Sequence, residues 1–501
     1  MPAQTKIQIA ADLSGPVISK HIFGHFAEHL GRCIYDGLWV GPESAVRNVR
    51  GWRSDLVEAL RAIKIPNLRW PGGCYADDYH WRDGIGPRQQ RPRRVNAHWG
   101  GVIDDNAVGT HEFLDLCVQL DCEPYLAGNV GSGTVRELRD WVEYVNAPEG
   151  TLADERMAHG RQEPWNVRLW GIGNENWGCG GHMRAEYYAD KYLRYASYVQ
   201  DYPKASTFRV ACGPHEDDYN WTEVMMRECT KPRFGFSAMD GLSLHNYTIP
   251  GGWENQQPAT SVTPDSWNEV MALGWQMDEL VRKHGAIMDQ HDPDKKVAMI
   301  VDEWGAWYRA EEGTNPRFLF QQQTVRDAVL AALHLNVFIE HCDRVRYANL
   351  AQVVNVLQAV ALTEPNGGRL VLTPTWHVFA LYAVHQDAQR LPHEIETAQL
   401  AHEAGLFPQV SAAASRAKNG EINVTLANTD SAREVEVTLT LTGTTSQTVQ
   451  ARVLASPKLA AGNTFDQPCT ITTTELAGVK ITGDQATLTL PAASVVSLNF
   501  S

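Results

Sequence analysis

Leu169-Trp170-Gly171-Ile172-Gly173-Asn174-Glu175-Asn176 and Val297-Ala298-Met299-Ile300-Val301-Asp302-Glu303-Trp304 follow one pattern: a short apolar run that ends in a glutamate. Apolar runs of this length, bounded by turn residues, read as buried parallel strands. A carboxylate at the end of such a strand costs stability unless it has a use. Working outward, comparable runs lie at 22–26, 67–70, 124–128, 168–173, 209–212, 241–245, 297–301 and 346–351. Helical segments separate several of them. Leu56, Leu60 and Ile63 follow Ser54 at helical spacing, and Phe113, Leu114, Cys117 and Leu120 follow Thr110. A longer helix is expected over 318–341 and a closing one over 374–385. Eight strands joined by crossover helices predict an α/β fold, a (β/α)8 TIM barrel, in which strand C-termini converge on one open face.

Tryptophan marks where the barrel stops. All 16 tryptophans lie at or before Trp376, and beyond about residue 388 the text turns to short Thr- and Val-rich alternating runs such as Glu421-Ile422-Asn423-Val424-Thr425-Leu426. Period-two alternation broken by Gly, Asn and Asp predicts an all-β sandwich, jelly-roll-like. Lys6-Ile7-Gln8-Ile9-Ala10 alternates in the same way. The expected domains are therefore an N-terminal strand at 1–16 that joins the sandwich, a catalytic barrel at 17–387 and a C-terminal sandwich at 388–501.

Bulk properties narrow the function classes. A net charge of -15 argues against nucleic acid and anionic membrane as partners. The basic turn at 88–94 reads as solvated or ion-paired. No stretch approaches the ~20 apolar residues that span a bilayer, and Lys6, Gln8 and Asp12 interrupt any signal-like start, so a cytoplasmic enzyme is expected. Nine scattered cysteines, without a Cys-x-x-Cys pair, indicate neither a disulfide framework nor a zinc site and read as reduced, mostly buried small hydrophobes. His25 and His29 have the spacing of zinc ligands on a helix, but the glycines around them argue for a strand-to-loop transition. No cofactor is expected.

Counting strands puts Glu175 at the end of the fourth and Glu303 at the end of the seventh, on opposing sides of the barrel mouth. Paired carboxylates there are the machinery of glycosidic bond cleavage. Asn174 is positioned to donate to a sugar 2-OH, and Tyr247 to donate to an ionised Glu303, whose charge would keep Glu175 protonated. Glu28 ends strand one, His245 and Tyr247 come from strand six and Gln352 from strand eight. Trp99 and Trp307 are candidates to stack on a sugar, and the loop at 250–265 decides between a pocket and a cleft. Alone, each of these residues reads as packing; together they read as a site.

With these residues in hand, the chain resembles glycoside hydrolase family 51, the α-L-arabinofuranosidases. The matching text is Gly24-His25-Phe26-Ala27-Glu28-His29-Leu30-Gly31, Arg69-Trp70-Pro71-Gly72-Gly73, Gly173-Asn174-Glu175-Asn176, Asp302-Glu303-Trp304 and Leu350-Ala351-Gln352. The resemblance implies a retaining, exo-acting enzyme with Glu175 as acid/base and Glu303 as nucleophile. It implies sugar contacts from Glu28, Asn174, Tyr247 and Gln352, a pocket shaped by Trp99 and Trp307, and no metal. It also implies an arabinose-containing oligo- or polysaccharide substrate and a homo-oligomer, often a hexamer. Many relatives carry Asn where this chain has Cys74, and a thiol is a poor donor to a sugar. A related retaining glycosidase, such as an endo-β-glucanase or β-xylosidase, and a non-catalytic carbohydrate binder are the alternatives.

Overall fold

Eight parallel strands close into a barrel in a computed structural model of the chain, which describes residues 4–231, 236–444 and 448–501. In order they are Gly24–Phe26, Asn67–Trp70, Glu123–Gly128, Leu169–Ile172, Phe208–Ala211, Gly241–Thr248, Ala298–Ala306 and Val345–Ala351. The fourth and seventh are buried along their whole length, which is why they read as unbroken apolar runs. The predicted α/β barrel is the observed fold.

Three details differ from the sequence reading, each for a local reason. The first strand is short because Lys20–Phe23 forms a 3-10 turn, with Ser19 Oγ accepting the His21 N–H. The helix expected from 318 begins at Val325. A 3-10 turn at Pro316–Phe318, a left-handed Leu319 (φ 51°) and Gln321, whose Oε1 accepts the Tyr308 N–H at 2.9 Å, occupy the stretch before it. The sixth and seventh strands run on to Thr248 and Ala306, so His245, Tyr247, Asp302 and Glu303 stand within strands.

Successive strand residues normally face opposite ways. Register shifts between Ser243 and His245, and between Val301 and Trp304, break that alternation. Such bulges re-aim side chains. Here they let neighbouring Asp302 and Glu303 both serve the barrel interior.

The sandwich has a five-stranded and a six-stranded sheet. Gln4–Ala10 lies inside the first, antiparallel to His393–Glu396 and parallel to Val435–Thr442. Its alternation sends Ile7 and Ile9 into a core with Val437, Leu439, Val424 and Leu498. Residues 1–3 of the expected N-terminal segment lie outside the described residues. The outer face of the six-stranded sheet docks on the barrel's last helices. Phe407, Ala427 and Val495 join the barrel's own apolar core, and Trp267 Nε1 donates to Thr429 O at 2.7 Å. Among the described residues no helix is long and apolar enough to cross a membrane.

Candidate active site

The barrel mouth gathers charge that no single strand could bury alone. Arg69, on the second strand, is 2% exposed and donates from Nη1 to Glu303 Oε1 (2.8 Å) and from Nη2 to Asn174 Oδ1 (2.5 Å). Its Nε faces Asp302 Oδ2 at 3.4 Å. Glu303 Oε2 accepts from Tyr247 Oη at 2.7 Å, so both oxygens of this carboxylate are held. His245 Nδ1 lies 2.9 Å from Glu175 Oε1 and 3.6 Å from Glu303 Oε2, while its Nε2 lies 3.0 Å from Asp302 Oδ1. Tyr125 Oη donates to Asp302 Oδ2 at 2.7 Å. One oxygen of Glu175 and one of Glu303 lie within 4.8 Å of each other.

Asp77 sets the backbone that carries Glu175. Its buried carboxylate accepts the N–H groups of Val130, Gly131 and Asn174 and the amide of Asn176, and Glu175 follows in a left-handed conformation (φ 43°). A non-glycine residue there is strained and persists only where its surroundings hold it. Asn174 Nδ2 is buried without a protein partner, which leaves it free to donate to a ligand.

The opposite wall is built on Glu28. Its Oε1 accepts the Tyr75 N–H (3.0 Å) and Trp99 Nε1–H (2.9 Å), and its Oε2 accepts Gln352 Nε2–H (3.0 Å). Gln352 Oε1 in turn accepts the Glu28 N–H at 3.2 Å. Gly72 and Gly73 pass so close that a Cβ would come within 2.8 Å of Glu28 Cγ and of Glu303 Oε1 respectively. Absent side chains let the loop touch both carboxylates.

Electrostatics follow from this burial. Desolvation and the charge of Glu303 push the Glu28 carboxyl up to about 7. Burial raises Glu303 too, with Glu175 adding repulsion, while His245 and Arg69 pull it back. The imidazole of His245 would lose its proton to burial alone, but the carboxylates around it push it up to about 10. Burial also lifts Asp77 to about 6 against its four hydrogen bonds.

Of the residues named from sequence, Glu28, Asn174, Glu175, His245, Tyr247, Glu303 and Gln352 come together in this cluster. Trp99 reaches it through Glu28. Trp307 stands one layer out, 5.0 Å edge-on from Tyr247 and 5.0 Å from Trp253. Trp253, from the loop at 250–265, is 56% exposed and borders an adjoining groove of about 470 Å³ with Asn246, Tyr247, Tyr219 and Lys283. Cys74 requires a correction: it is disulfide-bonded to Cys179, not a reduced thiol. The pair is 105 residues apart in sequence, and no Cys-x-x-Cys spacing advertised it. The two sulfurs flank Glu175 Oε2, at 3.9 Å for Cys74 and 3.5 Å for Cys179.

Arg69, Asp302, Tyr125, Asp77 and Cys179 were not singled out from sequence. A charged residue inside the apolar run at 67–70 is the signal that points to Arg69. His25 and His29 serve packing: His25 lies against Phe379 at 4.5 Å, and His29 Nδ1 meets Asp104 Oδ2 at 2.6 Å. Among the described residues two groups have metal-ligand proximity, Cys74–Glu175–Cys179 and Glu175–His245–Glu303. In the first the sulfurs are bonded to each other, and in the second the ring and carboxylates satisfy one another.

Known proteins match this architecture. The family model described as the α-L-arabinofuranosidase 1 domain matches residues 59–257, and that described as the α-L-arabinofuranosidase C-terminal domain matches 302–494. An intracellular exo-α-L-arabinofuranosidase of Bacteroides ovatus is 45% identical over 98% of this chain and 95% of its own. The crystal structure of a family 51 arabinofuranosidase from Xanthomonas axonopodis pv. citri superposes with a TM-score of 0.97 at 46% identity, covering 100% of both chains. A family 51 α-L-arabinofuranosidase from Bifidobacterium longum superposes with a TM-score of 0.89 at 28% identity, again over 100% of each.

Proposed function

This chain belongs to the α-L-arabinofuranosidases of glycoside hydrolase family 51, and from that premise we propose a retaining, exo-acting enzyme. It removes terminal arabinofuranosyl units from arabinoxylan, arabinan and derived oligosaccharides. The observation that carries the stereochemical reading is the approach of Glu175 and Glu303 to within 4.8 Å. An inverting pair stands roughly 6.5–9.5 Å apart to admit water, whereas a retaining pair stands near 5–5.5 Å.

Glu303, oriented by Arg69 and Tyr247, attacks the anomeric carbon. Glu175 gives its proton to the departing oxygen, and an arabinosyl ester forms on Glu303. Glu175, now ionised, takes a proton from water, which attacks the anomeric carbon and frees Glu303 and arabinose. The unpartnered Asn174 Nδ2 donates to the 2-OH, and Glu28 and Gln352 bind further hydroxyls. Trp99 and Trp307 shape the pocket, and the groove beside Trp253 takes the leaving group. The same reading has a catalytic barrel at 17–387 braced by a sandwich from 1–16 and 388–501. It includes a cytoplasmic location, supported by the relative named as intracellular, and a homo-oligomer, hexameric by family resemblance.

The test compares hydrolysis of aryl α-L-arabinofuranoside with that of β-D-xyloside and β-D-glucoside, following the product anomer by NMR. We expect preference for the arabinoside and retention. We also expect losses of at least about 10²–10⁴-fold in Glu175→Ala and Glu303→Ala, with the fold intact. Near-normal turnover by either variant, or an inverted product, would sink the assignment.

A further inference from the structure

His245 touches both catalytic carboxylates with one nitrogen. Its Nδ1 is 2.9 Å from Glu175 Oε1 and 3.6 Å from Glu303 Oε2. The ring is 4% exposed and fixed at its far side, where Nε2 meets Asp302 Oδ1 at 3.0 Å. The other oxygen of Asp302 is taken by Tyr125 and faces Arg69. An ionised Asp302 can only accept, so Nε2 carries a proton. A neutral ring would then turn the bare Nδ1 lone pair toward two carboxylates. A charged ring turns a donor toward them instead.

The cluster also balances as a unit. With Glu303 ionised and Glu175 protonated, the anions Asp302 and Glu303 face the cations Arg69 and His245. In the arabinosyl-enzyme Glu303 is an ester and Glu175 is the anion, and the two cations again face two anions. The negative charge moves from one side of Nδ1 to the other, and no counterion enters a buried site where an unpaired charge is costly.

We propose that His245 is a positioning residue that remains an imidazolium throughout turnover: its Nδ1–H holds Glu175, and its positive charge, beside both glutamates, serves whichever of them is the anion. This rests on the roles assigned above to Glu175 and Glu303. The charged and titratable groups around the ring are Glu175 from the fourth strand, Asp302 and Glu303 from the seventh and Arg69 from the second. Tyr125, Tyr247 and the buried thiol of Cys212 complete the surround. Burial lowers the proton affinity of His245, and the surrounding carboxylates more than restore it.

The experiment uses full-length enzyme with 15N-labelled histidine rings. It is studied free and after trapping with an activated 2-deoxy-2-fluoro-arabinofuranoside, and the His245 signals are those missing in His245→Asn or His245→Gln. Both ring nitrogens should be protonated at pH 7 in both states, with the Nδ1 proton resonance moving on trapping. A neutral ring in either state overturns the proposal. His245→Asn keeps an N–H near the Nδ1 position without the charge. Aryl release and turnover of the arabinosyl-enzyme should each slow by about tenfold or more. The acid limb of kcat/KM should move up by about one pH unit or more, as expected for a carboxylate that loses a neighbouring cation. An unmoved acid limb, or slowing of only one half-reaction, also overturns it. Mass mapping of the trapped sugar separates the two readings: a label on a residue other than Glu303 removes the nucleophile assignment itself, whatever the ring's charge.

Discussion

Glu28 holds a carboxyl at about 7 among three donors, so its charge changes near neutral pH. Above that point it accepts charge-assisted bonds from sugar hydroxyls, which are stronger than neutral ones. As pH falls through 7 the group protonates and one acceptor is lost, so KM should rise on the acid side. Glu28→Gln should abolish that inflection in kcat/KM and lower the plateau by roughly 10–100-fold, the worth of one hydrogen bond to a charged group. A profile with the same inflection in both proteins would remove Glu28 from sugar binding. Glu28 was legible because an acid interrupts apolar text. The partners of Arg69 were not, since Glu303 is 234 residues away and Asn174 is 105 away. Asp302 was hidden by the rule of alternation, which would turn it away from Glu303 and which the shift between Val301 and Trp304 breaks.

The loops that follow the second and fourth strands act together because Cys74–Cys179 ties them beside Glu175. Reduction unties the wall against Glu175 Oε2, and Cys179→Ala also removes one of its sulfurs; His245 holds the other oxygen of that carboxylate. We expect kcat to fall about tenfold on substrates with poor leaving groups, where proton donation limits the rate, and much less on activated aryl arabinosides, a difference near 1.4 kcal/mol in the barrier. Losing the cross-link should also lower the thermal midpoint, since closing a long loop contributes roughly 2–5 kcal/mol. Equal kinetics for both substrate classes, with and without reductant, would leave the disulfide only a structural tie. Strands were readable where burial on both faces made the text apolar, as at 169–172 and 298–301. The start of the long helix was not. Residues 319–324 carry helix-compatible side chains, yet the left-handed Leu319 and the buried Gln321 commit them to a loop, and Asp327 then receives the Thr324 N–H at 2.6 Å to start the helix.

At the scale of the molecule, barrel and sandwich share one core, and polar groups are buried where they meet. His385, in the 3-10 turn Ala383–His385 that follows the last barrel helix (Pro374–Tyr382), places Nδ1 2.7 Å from Ser415 Oγ and Nε2 3.0 Å from Thr425 Oγ1, both on sandwich strands. Burial pulls its proton affinity down to about 3, so it is neutral in the folded protein. Unfolding returns it to a value near 6.5. Between pH 6.5 and about 3 the unfolded chain therefore binds a proton that the native chain does not. His385 thus costs stability as pH falls, by up to ~1.4 kcal/mol per pH unit. Raised carboxyls such as Glu28 and Asp77 act in the opposite sense, taking up protons in the native state, so the wild-type curve alone does not isolate this interface. The difference from His385→Gln does. At pH 7.5 the variant should be less stable by about 1–2 kcal/mol, for the hydrogen bonds it loses. At pH 5 the difference should move by about 2 kcal/mol in the variant's favour, closing or reversing the gap, because only the wild type carries the protonation penalty. Guanidinium denaturation of both proteins at the two pH values measures it. A gap that is the same at both would mean that His385 is not held neutral between barrel and sandwich, and that acid opens the molecule elsewhere.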